Sequence, residues 1–190
     1  MQFKDSKQSK KLTSSFAKEP KRDWSRPGTW FAVSLPGGGY GIALVARRRP
    51  SSKRYKEIFV YIFGPRHESV EEIGNVLRFK PKDQIALAFT YDQGMLNGRW
   101  PIIGRIEPFD AEEWPIPLIK SGPIGGGPDW KRRFEVYRMG DDLQLEATLG
   151  TMILDDPSKY INQMTCGYLA FEDYVEDALN ESSKTPQDNM

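Results

Sequence analysis

Short apolar runs that end at glycine or proline constrain the fold of this chain more than any other feature of its sequence. The runs are rich in β-branched and aromatic residues, which favour extended strands. The first run, Thr29 to Leu35, stops at Pro36-Gly37-Gly38-Gly39, and the second, Tyr40 to Ala46, follows directly. Because glycine readily adopts the positive φ of tight turns, this arrangement predicts a β-hairpin.

Further runs of the same kind follow along the chain. We expect strands over four of them: Tyr55 to Phe63, Ile85 to Tyr91, Trp100 to Ile106 and Phe134 to Arg138. The Asn97-Gly98 pair, which stands before the third of these runs, is a strong signal for a two-residue hairpin turn. The segment from Pro108 to Pro128 is rich in proline and glycine, and it predicts an extended loop.

Two segments have helical periodicity. Ser69 to Leu77 begins with the serine-to-glutamate spacing of a capping box and predicts a short helix. Thr165 to Leu179 places Tyr168, Phe171 and Val175 at helical spacing, with acids mostly on the other face, and predicts an amphipathic helix. The chain is therefore predicted to be an α+β protein with a twisted antiparallel sheet, or a partly open small barrel, and one C-terminal helix.

Length and local composition indicate one domain with polar ends. The chain has 190 residues, which fits a single domain. We expect a flexible basic arm over residues 1–27, a globular domain over 28–180 and a polar tail over 181–190. The sequence shows neither an apolar leader nor a run of about 18 apolar residues, so we expect a cytoplasmic protein that does not enter a membrane.

Charged residues nearly cancel but are unevenly placed. There are 27 Lys and Arg against 26 Asp and Glu, a net charge of +1. Residues 1–27 contain eight basic and three acidic residues, whereas residues 141–190 contain two basic and eleven acidic residues. The overall charge gives no general attraction to nucleic acid, so a nucleic-acid partner is not expected and a charged partner must be recognised locally.

Residues for common catalytic sites are scarce. His67 is the single histidine and Cys166 the single cysteine, too few for a structural zinc site. Gly122 and Gly127 have the glycine spacing of a phosphate-binding loop, but Pro128-Asp129 replaces the lysine and hydroxyl residue of that motif. We therefore expect no catalytic residue, no metal site and no cofactor.

A cluster of cations offers an alternative function. Residues 47–56 contain six cations and no acid: Arg47, Arg48, Arg49, Lys53, Arg54 and Lys56. Such a loop could grip phosphates, which keeps an SH3-like nucleic-acid-binding module as the alternative. A solvated loop that keeps a sheet edge soluble explains the same residues.

Two segments of the sequence contain a distinctive series of motifs. The first is GTWFAVSLPGGGYGIALVARR, at residues 28–48. The second is DQGMLNGRWPIIGRIEPFDAEEW, at residues 92–114, whose core runs from Gly98 to Gly104 and precedes Glu113-Trp114-Pro115. Together these segments resemble the Immunity protein 26 family. The resemblance implies an immunity protein that neutralises a cognate bacterial toxin by occluding the toxin's active surface. Some relatives carry a phosphotriesterase name, so a hydrolase is a second, less favoured implication.

We expect the partner to bind surface aromatic and charged residues near turns and on the C-terminal helix. Trp114 is a candidate because it stands beside two acids and two prolines. The acidic C-terminal region, including Asp155 and Asp156, is expected to face a basic toxin surface, although such acids also maintain solubility without a partner. The expected contacts are Tyr40, Tyr91, Asp92, Arg99, Glu112, Glu113, Trp114, Glu172, Asp173, Glu176 and Asp177.

Overall fold

The computed structural model describes residues 23–51, 53–157, 160–162 and 165–184. Residues 1–22 of the predicted arm and residues 185–190 of the predicted tail lie outside the described residues. The end of the predicted arm is packed on the domain, because Ser25 is fully buried and donates a hydrogen bond to Asp92 Oδ2 at 2.7 Å.

Within the described residues, ten strands form two sheets. The strands are β1 Thr29–Ser34, β2 Tyr40–Arg48, β3 Glu57–His67, β4 Ala86–Tyr91, β5 Ile102–Arg105, β6 Ile119–Ser121, β7 Arg133–Met139, β8 Leu145–Ile153, β9 Ile161–Asn162 and β10 Thr165–Cys166. A short helix spans Gln93–Leu96, and the C-terminal helix spans Tyr168–Ser182. Single 3-10 turns lie at Val70–Glu72, Val76–Arg78, Pro81–Asp83 and Trp130–Arg132.

The first sheet has the strand order β10-β4-β3-β2-β1-β5. It is antiparallel except where β10 runs parallel to β4. The second sheet has the order β8-β7-β6-β9, and β9 runs parallel to β6. The predicted α+β class is confirmed, as two separate sheets and one long C-terminal helix.

Each face of the first sheet packs into its own core. One face carries Phe31 and Val45, which pack with Phe171 of the C-terminal helix. The opposite face carries Trp30, which packs with Trp114 and with residues of the second sheet. Because both faces are covered, β1, β2 and β3 are continuous apolar runs without polar alternation.

The C-terminal helix lies close against the first hairpin. Phe171, Val175 and Leu179 are its buried apolar residues. At Gly41 of β2, an added Cβ would lie only 2.6 Å from Val175 Cγ1, so a side chain there would push the helix away from the sheet. Among the described residues, no helix combines the length and the apolar character needed to cross a membrane.

The hairpin predicted at Asn97-Gly98 is wrong. Strands β4 and β5 are not neighbours, since β5 pairs with β1 on the far side of the sheet. Asn97 is instead the C-cap of the short helix, and Gly98 follows it with a φ of 77°. A glycine with positive φ serves a helix end as well as a hairpin turn, which explains the wrong prediction.

Two other local predictions differ from the structure. Ser69 to Leu77 forms two separate 3-10 turns instead of a helix, and the Ser69 side chain makes no capping hydrogen bond. Asn75 interrupts the segment, because its side chain accepts a hydrogen bond from the Leu77 backbone N–H. The loop predicted from Pro108 to Pro128 contains strand β6.

We predict that Phe171→Ala lowers the free energy of unfolding by about 3–5 kcal/mol, because it empties a fully buried site between the helix and the sheet. Leu169→Ala, on the same helix but more than half exposed, is the control and should cost less than about 0.5 kcal/mol. Urea unfolding of both variants measures the difference. Equal costs would mean that the helix does not pack on the sheet as described.

Candidate partner-binding surface

Trp100 organises the contacts of the segment that resembles the family. Its ring is buried, with centroid distances of 5.5 Å to Phe31 and 5.1 Å to Phe171. Gly94 lies so close to the indole that an added Cβ would overlap its ring atoms. The glycine of the short helix is therefore required by the tryptophan that follows it in the sequence.

Glu172 connects this tryptophan to the C-terminal helix. Its Oε1 accepts a hydrogen bond from Trp100 Nε1 at 2.8 Å. Arg99 donates to both carboxylate oxygens, from Nε at 2.5 Å and from Nη2 at 2.7 Å. Glu172 is only 1% exposed, and three donors stabilise its buried charge. The expectation that Glu172 contacts a partner does not agree with this position.

Glu176 is also engaged within the protein. Its carboxylate accepts hydrogen bonds from the Gly37 backbone N–H at 3.1 and 3.2 Å and from Arg66 Nη1 at 3.0 Å. Arg66 also donates to the Gly38 carbonyl. These contacts join the glycine turn of the first hairpin to the helix, so Glu176 is a structural residue.

Asp92, another expected contact, is buried as well. It accepts hydrogen bonds from the Ser25 hydroxyl and from the Lys56 backbone N–H, the latter at 2.8 Å. Burial raises the pKa of Asp92, while both hydrogen bonds act in the opposite direction. The carboxylate therefore joins the segment before β1 to the start of β3.

Trp114 lies in the core, and the expectation of an exposed indole is wrong. The residue is 1% exposed, and its ring meets Tyr61 edge-on at 5.1 Å between centroids. Its carbonyl accepts a hydrogen bond from Arg47 Nη1 at 3.1 Å, and the next carbonyl, that of Pro115, accepts one from the Tyr61 hydroxyl. The proline-rich segment thus covers the second face of the first sheet.

The remaining expected contacts are accessible but lie on separate elements. Asp173 and Asp177 are exposed on the C-terminal helix, one turn apart. Tyr91 is exposed at the end of β4, and Tyr40 is half-buried at the start of β2. Glu112 and Glu113 are exposed before Trp114, with Glu113 paired to Lys80 at 3.0 Å, and Arg99 is 46% exposed.

A groove of about 900 Å³ lies between the C-terminal helix, β4 and the second sheet. Asp177, Glu181 and Tyr174 lie on its helix side, and Lys120 of β6 lines it as well. The Tyr174 hydroxyl donates to the Leu87 carbonyl at 3.2 Å. Sequence reasoning missed this groove because its lining comes from elements that are distant in the sequence.

Cys166 lines the same groove. Burial raises the pKa of its thiol. A raised pKa keeps the thiol protonated near neutral pH, which is the opposite of what an activated nucleophile requires.

The basic loop at residues 47–56 includes the last two residues of β2, and several of its cations make contacts within the protein. Arg47 is buried, and it pairs with Asp141 at 2.6 Å. Arg49 pairs with Glu57 at 2.9 Å and donates to a backbone carbonyl. Lys56 donates to two carbonyls of the loop itself. These three side chains therefore stabilise the fold, and fewer cations remain for a phosphate ligand.

His67 is the last residue of β3 and is half-buried. Burial lowers the pKa of its imidazole, which favours the neutral form. Within the part of the chain that the structure describes, no three His, Cys, Asp or Glu side chains are grouped so that they could hold a metal ion.

The family model of Immunity protein 26 matches residues 26–129, more than half of the chain. The chain belongs to the Immunity protein 26 family. This confirms the resemblance inferred from the sequence. The match includes β1 to β6 and ends before β7, so the C-terminal helix lies outside it. No match was found among curated proteins or among solved structures.

We predict that Gly94→Ala destabilises the protein by about 1–3 kcal/mol, because the added methyl group overlaps the buried Trp100 ring. Gly74→Ala is the control, since an added Cβ there would contact nothing within 4 Å. Its stability should change by less than about 1 kcal/mol. Chemical denaturation of the two variants tests this, and equal stabilities would contradict the close contact.

We also predict that Glu172→Gln lowers the unfolding free energy by about 1.5–3 kcal/mol, since the substitution removes the charged acceptor of Arg99 and Trp100. Asp173→Asn removes one carboxylate at the adjacent, exposed position and should have little effect. Thermal melts followed by tryptophan fluorescence compare the two. If Asp173→Asn were the more harmful change, the assignment of the buried acid would be wrong.

Proposed function

We propose that this protein binds a cognate toxin and neutralises it by occluding the toxin's active surface. Its membership of the Immunity protein 26 family supports a toxin as the partner. In this proposal the protein acts by binding, without catalysis, and the encounter takes place in the cytoplasm.

The observation that carries the proposed surface is a line of exposed carboxylates on the C-terminal helix. Asp173, Asp177 and Glu181 follow one another at four-residue spacing and are all exposed. A toxin that acts on nucleic acid must present Lys and Arg to phosphates, so an inhibitor can occupy that site with carboxylates. The proposed surface contains fewer acids than the sequence indicated, because Glu172 and Glu176 accept hydrogen bonds from groups of the protein itself.

The alternative of a nucleic-acid-binding module receives less support. It depends on the basic loop, and there Arg47 and Arg49 are paired with carboxylates of the protein itself. No feature of the described residues favours the hydrolase.

Co-expression tests the proposed function directly. In this experiment the protein is produced together with the C-terminal toxin domain of the protein encoded next to it. We expect the wild-type protein to restore growth of cells that produce this domain and to co-purify with it. Failure of both would contradict the proposal.

We predict that Asp173→Lys combined with Asp177→Lys slows association with the toxin domain at least about tenfold at low salt and reduces its salt dependence, because steering by these carboxylates is lost. The control, Glu68→Lys combined with Glu71→Lys, changes the net charge equally at two exposed acids elsewhere. Its association rate should change much less. Stopped-flow binding over a range of salt concentrations measures both, and equal rates would contradict the proposed surface.

A further inference from the structure

Strand β8 is an edge of the second sheet. Within the described residues it pairs with β7 alone. Most of its nine residues are exposed, including Leu145 at 55% and Ile153 at 51%. Natural edge strands are often protected by lysine, proline or a β-bulge, which discourage pairing with another chain. The β8 sequence LEATLGTMI contains neither lysine nor proline, and its single charge is Glu146. Its register irregularities with β7 all lie before Gly150, so the end of the strand is regular.

The end of β8 presents backbone groups that can pair with a new strand. Register with β7 is regular from Gly150 to Ile153, beyond the irregularity opposite Val136 and Tyr137. Leu154 N–H donates to the Arg132 carbonyl at 2.8 Å and so faces β7. Because orientation alternates along an antiparallel strand, the N–H and C=O groups of Ile153 and Thr151 face outward. Two residues therefore have backbone donors and acceptors on the open side.

Carboxylates flank this edge at both ends. Residues 139–157 contain five acids and no Lys or Arg: Asp141, Asp142, Glu146, Asp155 and Asp156. Asp141 pairs with Arg47 and Asp155 with Arg132, yet these two carboxylate side chains remain 78% and 97% exposed. The edge thus exposes apolar side chains such as Leu145 and Ile153 and is negative at its ends.

We infer that β8 takes an extended segment of the toxin as an additional strand, and that this segment is apolar in the middle and basic at both ends. Main-chain hydrogen bonds would hold the segment, while Leu145, Ile153 and the flanking acids would select its side chains. The inference rests on the proposed function, since it names the part of the toxin that is recognised. Strand β8 also lies beyond residues 26–129, the part matched by the family, which suits recognition of one particular toxin.

A second copy of this chain fits the same edge poorly. In an antiparallel pair of β8 strands, the end with Asp141 and Asp142 would lie beside the end with Asp155 and Asp156 of the other copy. Like charges that face each other across strands are destabilising. A basic partner segment removes this repulsion.

The test compares Thr151→Pro with Thr151→Val in binding to the neighbouring toxin domain. Proline removes the outward N–H of an exposed edge residue, a position where sheets tolerate it, whereas valine keeps that N–H and the strand preference. We expect Thr151→Pro to raise the Kd at least about tenfold and Thr151→Val to change it less than about twofold. Far-UV circular dichroism verifies that both variants are folded.

Amide hydrogen exchange of the wild-type protein provides a second measurement that does not depend on the folding of a variant. We expect exchange within residues 145–153 to slow when the toxin domain is bound. Unchanged exchange there, or equal binding by both variants of Thr151, would overturn the inference. A wild-type dimer that Thr151→Pro converts to a monomer would overturn it too, because β8 would then serve self-association.

The two proposals fail in different ways. If the wild-type protein binds the toxin domain and protects cells while β8 is unaffected, only strand addition is wrong. If the wild-type protein neither binds nor protects, the proposed function itself is wrong.

Discussion

The buried carboxylate of Glu172 is the interaction on which the rest of the structure depends. It takes up the donors of Arg99 and Trp100, which lie more than 70 residues earlier in the chain. A buried carboxylate without such partners would be strongly unfavourable, so the helix and the tryptophan segment must form together. The Trp100 ring in turn requires Gly94 beneath it, and this contact fixes the short helix against the sheet.

The folded core extends beyond the segment that the family model matches. The matched segment ends at residue 129, yet the hydrogen-bond partner of its central tryptophan is at residue 172. The C-terminal helix is therefore part of the folded core, although it lies outside the match. It follows that Trp100 of the Gly-x-Trp-Pro motif maintains the fold.

Local patterns were sufficient to predict the centre of the first sheet. Strands β1 and β2 and the turn between them follow from apolar runs interrupted by glycine, and Phe171 and Val175 follow from helical spacing. Both signals come from residues that are neighbours in the chain, so the sequence alone is enough to detect them.

Features that depend on distant partners could not be predicted in this way. Glu172 stands among exposed acids, and only the approach of Arg99 and Trp100 distinguishes it. Trp114 has polar neighbours in sequence, but its ring is covered by Tyr61 and Trp30. Strand β8 was not predicted either, since its sequence contains Gly150 at positive φ and its register with β7 shifts twice.

The charge of the C-terminal part now divides into two groups. Glu172 and Glu176 bind groups of the protein and hold the helix on the sheet. The other described acids leave carboxylates exposed on the helix and around β8, and these are the groups that we propose for contact with a basic toxin. We propose that a structural half, which contains the family segment, supports a separate, acidic recognition surface.

Zero-length carbodiimide cross-linking of the complex with the toxin domain, followed by mass spectrometry, tests this claim most directly. The reagent joins carboxylates to lysines only where they are in contact, so it reports which acids face the toxin. We predict cross-links from Asp173, Asp177 and the acids that flank β8. Cross-links confined to Glu68, Glu71, Glu112 and Glu113 would contradict it, because the toxin would then bind the structural half.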